Sequence, residues 1–469
     1  MAHDAAVIGA GPNGLAAALQ LARAGLSVRL IEANPTVGGA ARTRELGYRG
    51  AIHDLGSAVH PMALVSPFFM DIGLNDHVDF RVPEISFAHP MADGRVGLGY
   101  RDLARTVQSL GAEGPGYARM LGPVVRGIEE TAEILMHPLI RVPKHPVALA
   151  TFAVRAAAMM VPGLSTGEIG TAMLAGCSAH TAGGGRGPAS TGAGLFLAAS
   201  AHGAGWPIPV GGSQTISDAL ASMFLAAGGR IETDTEVTDL AQLEESTVLF
   251  DTSPEAMARI AGDALPAKYR KRLASTRRGP GSCLIHYVLN SPVPWRNAEL
   301  AGAGTIHLGG TAAMIGREER RIRTNVSSAP YAIVSQPSNF DPSRAPEGKH
   351  VLWAYCHVPN GHPGDMREAM DRQIEAVAPG FRDTIEYAQR TNAPGLVAQN
   401  PNLVGGDISG GVTDIRGMLA RPVLSPDPWR TPAKGLYLAS SSTPPGPAVH
   451  GMNGYLAAQS ALRHEFGLR

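Results

Sequence analysis

Near the start of the chain stands Ala5-Ala6-Val7-Ile8-Gly9-Ala10-Gly11-Pro12-Asn13-Gly14, and after an alanine-rich stretch comes Val28-Arg29-Leu30-Ile31-Glu32. Four apolar residues, a glycine-marked turn, a helix from Leu15 to Ala24 and a second strand ending on an acid make a βαβ unit. Gly9 permits the tight turn, Gly11 lets a phosphate approach the backbone, and Gly14 lets helix and strand pack closely. The helix N-terminus, at Pro12 and Asn13, offers free N–H groups and partial positive charge to a pyrophosphate. Glu32, with Ala33 beside it, lies 18 residues past Gly14, where a carboxylate holds ribose hydroxyls. That carboxylate would repel a 2′-phosphate, so the pattern predicts FAD or NAD and not NADP.

A glycine turn alone also serves plain packing; here strand, helix and acid agree. A second glycine pair follows in Val37-Gly38-Gly39-Ala40-Ala41-Arg42-Thr43. It puts backbone amides and Arg42 or Thr43 where an FAD pyrophosphate would run, and an NAD dehydrogenase has no need of it. The expected cofactor is therefore FAD.

At 469 residues the chain has room for two domains. Lys plus Arg equals Asp plus Glu at 40 each, so no global field attracts nucleic acid. The first strand begins within four residues, which leads us to expect no leader peptide and a cytoplasmic protein. The longest apolar run, Val147 to Val161, carries Arg155 and is too short to span a bilayer. It reads as a buried helix, with a membrane-touching surface as the other reading. Cys177, Cys283 and Cys356 form no CxxC pair, so reduced buried thiols are expected.

Farther along, Ile52-His53-Asp54-Leu55-Gly56-Ser57 reads as a strand entering a loop, and residues 76–204 read as helices broken by Pro and Gly. Thr181 to Gly194 has the composition of a loop. Nucleotide-domain elements resume near Trp206: a helix from Gln214 to Ala227 with Ser213 as N-cap, then strands at Arg230–Thr233, before Val237, and at Thr247–Asp251. Period-2 alternation over 282–289, 331–335 and 350–357 predicts an antiparallel sheet, and a helix follows from Met366 to Val377. Gly435–Ala439 is a strand, and His450-Gly451-Met452-Asn453-Gly454 opens a helix over Tyr455–Glu465. Such a glycine-led helix start suits the N1–C2=O edge of a flavin, which becomes negative on reduction.

VIGAGPNGLAAA, IEANPTVGGAART, PVGGSQTISDALA, APEGKHVLWAY, NLVGGDISGG and GLYLASSSTPPGPAVHGMNGYLAAQSAL occur in that order. Together they resemble the phytoene-desaturase-like FAD oxidoreductases of the amine-oxidase superfamily, most nearly the branch labelled pyridine-nucleotide-disulphide-oxidoreductase-domain proteins. The resemblance covers nearly the whole chain. It implies an α/β fold, with a Rossmann-like FAD-binding domain of the p-hydroxybenzoate-hydroxylase type and an interleaved α+β substrate domain. The expected division is residues 1–75, 205–260 and 401–469 for FAD, and 76–204 and 261–400 for substrate. By the same resemblance Gly9, Gly11 and Gly14 meet the pyrophosphate and Glu32 the ribose. Gly39, Ala40, Arg42 and Thr43 follow the pyrophosphate and ribityl path, Gly56 and Ser57 approach the flavin, and Val237 meets the adenine. Gly451, Met452 and Asn453 lie at the ring edge. Many amine oxidases carry Arg directly after the glycine pair; this chain has Ala40, with Arg42 two positions on.

The chemistry expected is dehydrogenation or desaturation, with hydride passing to flavin N5. His450, at the flavin-facing helix start, is the candidate proton acceptor, with a structural or substrate-orienting role weighed beside it; His60 is a second candidate. No second nucleotide unit is visible, so electrons are expected to leave to oxygen, a quinone or another acceptor. Segments rich in Ala, Leu, Met and Val predict an apolar or amphipathic small-molecule substrate, and with 5% aromatic residues no two-ring amine cage is evident. Nothing compels membrane contact. Two other readings fit: an isomerase using flavin without net redox, and a lipid-binding protein of the GDP-dissociation-inhibitor kind.

Overall fold

The computed structural model describes residues 3–138, 141–161, 166–183 and 187–468. Its first sheet is parallel, ordered Leu436–Leu438, Thr247–Phe250, Ala5–Ile8, Val28–Ile31, Arg230–Glu232. Ala5–Ile8 lies at the centre and is buried along its whole length. That is why it reads as a continuous apolar run and not as an alternation. The helix after the turn spans Pro12–Arg23 and so starts three residues before the sequence suggested. Gly11 is its N-cap, and Pro12, whose fixed φ suits a first helical position, belongs inside it.

This helix packs against the helix Met452–Ala461, with no room between the two. A Cβ built on Gly454 would stand 1.7 Å from the Asn13 carbonyl oxygen. Gly454→Ala must therefore push the helices apart, costing about 3 kcal/mol and several degrees of thermal midpoint in a circular-dichroism melt. Gly122→Ala, also helical but with its nearest neighbour 3.5 Å away, is the control; it should stabilise slightly.

The second sheet is mixed, ordered Ile385–Thr391, Gly281–Leu289, His350–Val358, Ala332–Ser335, Ala303–Leu308, Ile85–Pro90, Val96–Tyr100. Only the pairing of Ala303–Leu308 with Ile85–Pro90 is parallel. Two of these strands correct the all-helical reading of 76–204. Ile85–Pro90 is buried on both faces; Asp93-Gly94 marks the turn back. Helices do follow from Leu103 to Gly203. Residues 188–194, read as a loop, form the start of the helix Pro188–Gly203, and 184–186 lie outside the described residues.

The expected buried helix at Val147–Val161 is corrected too. It spans Pro146–Met159, but Phe152 is its only buried residue. Its inner face lies on the helix Pro188–Gly203 and its outer face on solvent. Among the described residues no helix is long and apolar enough to cross a membrane. The three cysteines are free and buried, with Cys283 opposite Cys356 on adjacent strands.

A buried polar node joins the parts around the two sheets. Arg344 donates to Asp54 Oδ2 at 2.7 Å and to the Ile52 carbonyl at 3.1 Å. Asp54 Oδ1 accepts from Thr43 Oγ1 and the Ser213 N–H. Burial pulls the Asp54 carboxyl up, but Arg344 and these hydrogen bonds outweigh it and hold it below its ordinary range.

Candidate active site

Between the sheets runs a cavity of about 920 Å³, toward the upper end of the roughly 300–1,000 Å³ of small-molecule sites. Its walls include Gly9, Gly11, Pro12, Asn13, Glu32, Ala33, Gly39, Ala40, Arg42, Gly56, Ser57, Val237 and His450. Gly14, Thr43, Gly451, Met452 and Asn453 lie behind the wall. Gly14 sits against Gly9, where a Cβ would meet the Gly9 carbonyl at 1.9 Å. Thr43 donates to Asp54. Met452 and Asn453 are buried in the first turn of the closing helix, where Asn453 Nδ2 donates to the Thr443 carbonyl.

At the end nearest the glycine turn the backbone forms a shallow cradle. A Cβ on Gly39 would come within 2.9 Å of Gly11 Cα, so both glycines keep that space open. Glu32 is buried and accepts from the Ala10 and Asn34 N–H groups and from Asn34 Nδ2. A carboxylate has about four acceptor sites, so a hydroxyl can still bind. Arg42 is buried, donating to the carbonyls of Gly39 and Gln399 and to Asn34 Oδ1. None of these acceptors is charged, and burial first, then Arg44, draw the guanidinium down while Glu32 opposes.

Asp251 stands at a strand end in the sequence, yet it reaches this same turn. Its Oδ2 accepts from the Gly14 N–H at 2.8 Å. Burial pushes the Asp251 carboxyl up to about 7, hydrogen bonds from Gly14 and Gly11 oppose this, and Glu32 adds to it. Arg421 is a second buried guanidinium on the wall, donating to the carbonyls of Ser441 and Ser409; burial lowers it to about 10. The Asp251–Gly14 contact joins residues 237 apart in sequence, so no local pattern announces it.

The histidines divide by what their nitrogens do. His450 Nδ1 accepts from the Met452 N–H at 3.1 Å, capping the helix it precedes, and burial lowers the ring to about 4. His60 lies 2.8 Å from Ser213 Oγ, which itself donates to the Ser57 carbonyl. With the hydroxyl proton so used, His60 Nε2 must donate, leaving the Nδ1 lone pair without a partner among the described residues. Burial lowers His60 to about 4 as well. Ser213, expected to cap a helix, thus makes no side-chain cap.

The far end of the cavity is apolar. Leu284, Ile333, Trp353 and Tyr355 come from the mixed sheet, and Phe196, Leu197 and Phe152 from the helices. Trp353 and Tyr355 place two rings 5.1 Å apart at 58°, which composition did not reveal. They touch each other and leave no slot between them. The carboxylates on the wall, Glu32, Glu236, Asp251 and Glu255, all come from segments around the parallel sheet.

The family model of the flavin containing amine oxidoreductases matches residues 13–459, and the chain belongs to that family. It is an FAD-dependent oxidoreductase. The rat pyridine nucleotide-disulfide oxidoreductase domain-containing protein 2 is 24% identical over 98% of this chain and 93% of its own. A limonene dehydrogenase subunit of Castellaniella defragrans is 36% identical over 23% of this chain and 19% of its own. In fold, the chain is similar to cyclohexylamine oxidase of Brevibacterium oxydans (TM-score 0.59, 16% identity, all of both chains covered). The mixed α/β architecture with a Rossmann-like parallel sheet is that of these flavoenzymes.

The cradle fits the cofactor. Its glycines hold a backbone-lined space, Arg42 brings a buried positive charge with no ion pair among the described residues, and the buried Asn13 Oδ1 has no partner among them.

Proposed function

We propose that this enzyme dehydrogenates or desaturates a neutral apolar or amphipathic small molecule. One observation carries this reading: the cavity walls from the mixed sheet and the helices of 103–203 are mostly aliphatic and aromatic, with Thr181, Thr305 and His180 among them and no carboxylate among the described residues. A protonated amine would be desolvated there with no countercharge, at a cost of several kcal/mol. The short match to a limonene dehydrogenase chain supports an apolar substrate.

In this reading Gly9, Gly11, Gly39 and Arg42 hold the FAD pyrophosphate, Glu32 the ribose and Val237 the adenine, with Gly56, Ser57 and the helix start at Gly451–Asn453 flanking the flavin. FAD-binding segments at 1–75, 205–260 and 401–469 then embrace a substrate part at 76–204 and 261–400. Bound FAD supplies a two-electron acceptor for hydride from substrate carbon. The protein's share is to desolvate and orient that carbon and to take the accompanying proton. Electrons leave to oxygen, a quinone or another acceptor.

The proton falls to His60 and not to His450, whose Nδ1 is committed to its helix. His60→Gln keeps a donor for Ser213 and removes the basic lone pair. It should lower the rate of flavin reduction about 10²- to 10⁴-fold with the visible flavin spectrum retained. Equal rates would remove His60 from the chemistry. The substrate reading is tested by anaerobic mixing of the FAD-loaded enzyme with cyclic monoterpenes, longer polyenes and allylic alcohols beside primary amines. Bleaching of the flavin by amines alone would overturn it.

A further inference from the structure

The surface over the cavity wall is more apolar than a protein facing only water requires. Val142 is 90% exposed, Val147 79% and Val154 63%, with Met160 and Val161 also exposed. On a second segment Leu424 is 69% exposed, with Ile415 and Leu419 exposed as well. The helices Pro146–Met159 and Ile415–Leu419 both pack on Pro188–Gly203, and their inner faces line the cavity through Leu149, Phe152 and Met418. Most of the exposed large hydrophobic side chains among the described residues thus gather on two segments that wall one cavity.

Charge on these segments has one sign. Residues 134–167 and 415–426 contain no Asp or Glu, while Arg141, Lys144, Arg155 and Arg416 fall within them; Arg421, the fifth cation there, is buried on the cavity wall. Arg141 and Lys144 share Glu133; Arg155 and Arg416 have no ion pair among the described residues. A second copy docked by two-fold symmetry would set Arg155 and Arg416 against their own images, the neighbouring Glu133 being already shared by Arg141 and Lys144. An anionic bilayer answers both features, taking the valines and leucines below its headgroups and the arginines among them.

We propose that this face is a docking surface for an anionic lipid bilayer, on which the protein lies without spanning. The proposal rests on the surface alone and not on the substrate reading. If both hold, an apolar molecule passes from lipid to cavity without crossing water.

The test is cosedimentation of the FAD-loaded full-length protein with vesicles of phosphatidylcholine, with or without phosphatidylserine. Binding to serine-containing vesicles, weakened by salt, is the expected result. Val147→Ser/Val154→Ser/Leu424→Ser should lower the partition coefficient at least about tenfold, since each valine or leucine withheld from the interface counts several-fold. Its flavin spectrum and thermal midpoint should stay unchanged, so lost binding is not lost fold, and neither readout depends on the substrate. Wild-type protein left in the supernatant at low salt would overturn the proposal. So would a variant that binds as well as wild type, or a dimer seen by sedimentation velocity that the same substitutions dissociate.

Discussion

Arg42→Met is expected to yield a folded protein that has lost most of its flavin. Arg42 is buried yet donates only to two carbonyls and an amide oxygen. A buried cation without a countercharge is costly, and burial already draws its guanidinium down. The charge is worth keeping only if an anion arrives, and the glycine cradle beside it is open to a pyrophosphate. Losing a charge-assisted hydrogen bond of about 3 kcal/mol should weaken FAD about 100-fold. Titrating FAD into apo-protein and following flavin fluorescence reads this directly. The apo-protein's own melting point should fall little, because an uncompensated charge leaves with the side chain. Undiminished FAD affinity would assign Arg42 to the scaffold alone.

Mild acid should unfold the protein. His53, His60, His89, His180, His202, His286 and His450 are pushed by burial down to between about 3 and about 4, and His307 lies well below its ordinary value. In the unfolded chain each binds a proton near pH 6.5. Folded pKa values are lowered, so the unfolded state holds more protons between pH 6.5 and about 4, and stability drains as pH falls through that window. Near pH 5.5 each group costs on the order of 1 kcal/mol, and the eight add in the same direction. Asp251, pushed up to about 7, works the other way by about 2 kcal/mol over the same interval. The remainder matches the whole stability of an ordinary protein, about 5–15 kcal/mol. Circular dichroism should therefore show a cooperative transition near pH 5.5, displaced downward when FAD is bound. A native spectrum at pH 4.5 would mean that these imidazoles reach water more freely than their packing implies.

What the sequence disclosed was what neighbours along the chain decide. The turn from Gly9 to Gly14, the strand ending at Glu32 and the strands expected over 282–289 and 350–357 are each written within a dozen residues. Ile85–Pro90 was missed because six residues ending in Pro90 are too short a run to stand out beside the helical stretch that follows, and Pro146–Met159 was misplaced because composition does not say which apolar helix the fold covers. The cavity's polar contacts were beyond reach for another reason. Asp251 meets Gly14 and Ser213 meets His60 across most of a domain's length, pairings that exist only after the chain has closed. His450 drew attention by standing beside a glycine-led helix, and its nitrogen turned out to serve that helix.

The order of the parallel sheet bears on how the enzyme is made. Ala5–Ile8 and the glycine turn leave the ribosome more than 400 residues before the helix Met452–Ala461 that locks against Pro12–Arg23. At about 5–20 residues per second, the nascent cofactor cradle stays half-built for roughly 20 to 90 seconds. Flavin loading is thereby deferred until that helix has emerged. Through that interval an apolar strand and an alanine-rich helix must be shielded, so holo-enzyme yield in a cell should depend on chaperone supply more than on flavin supply.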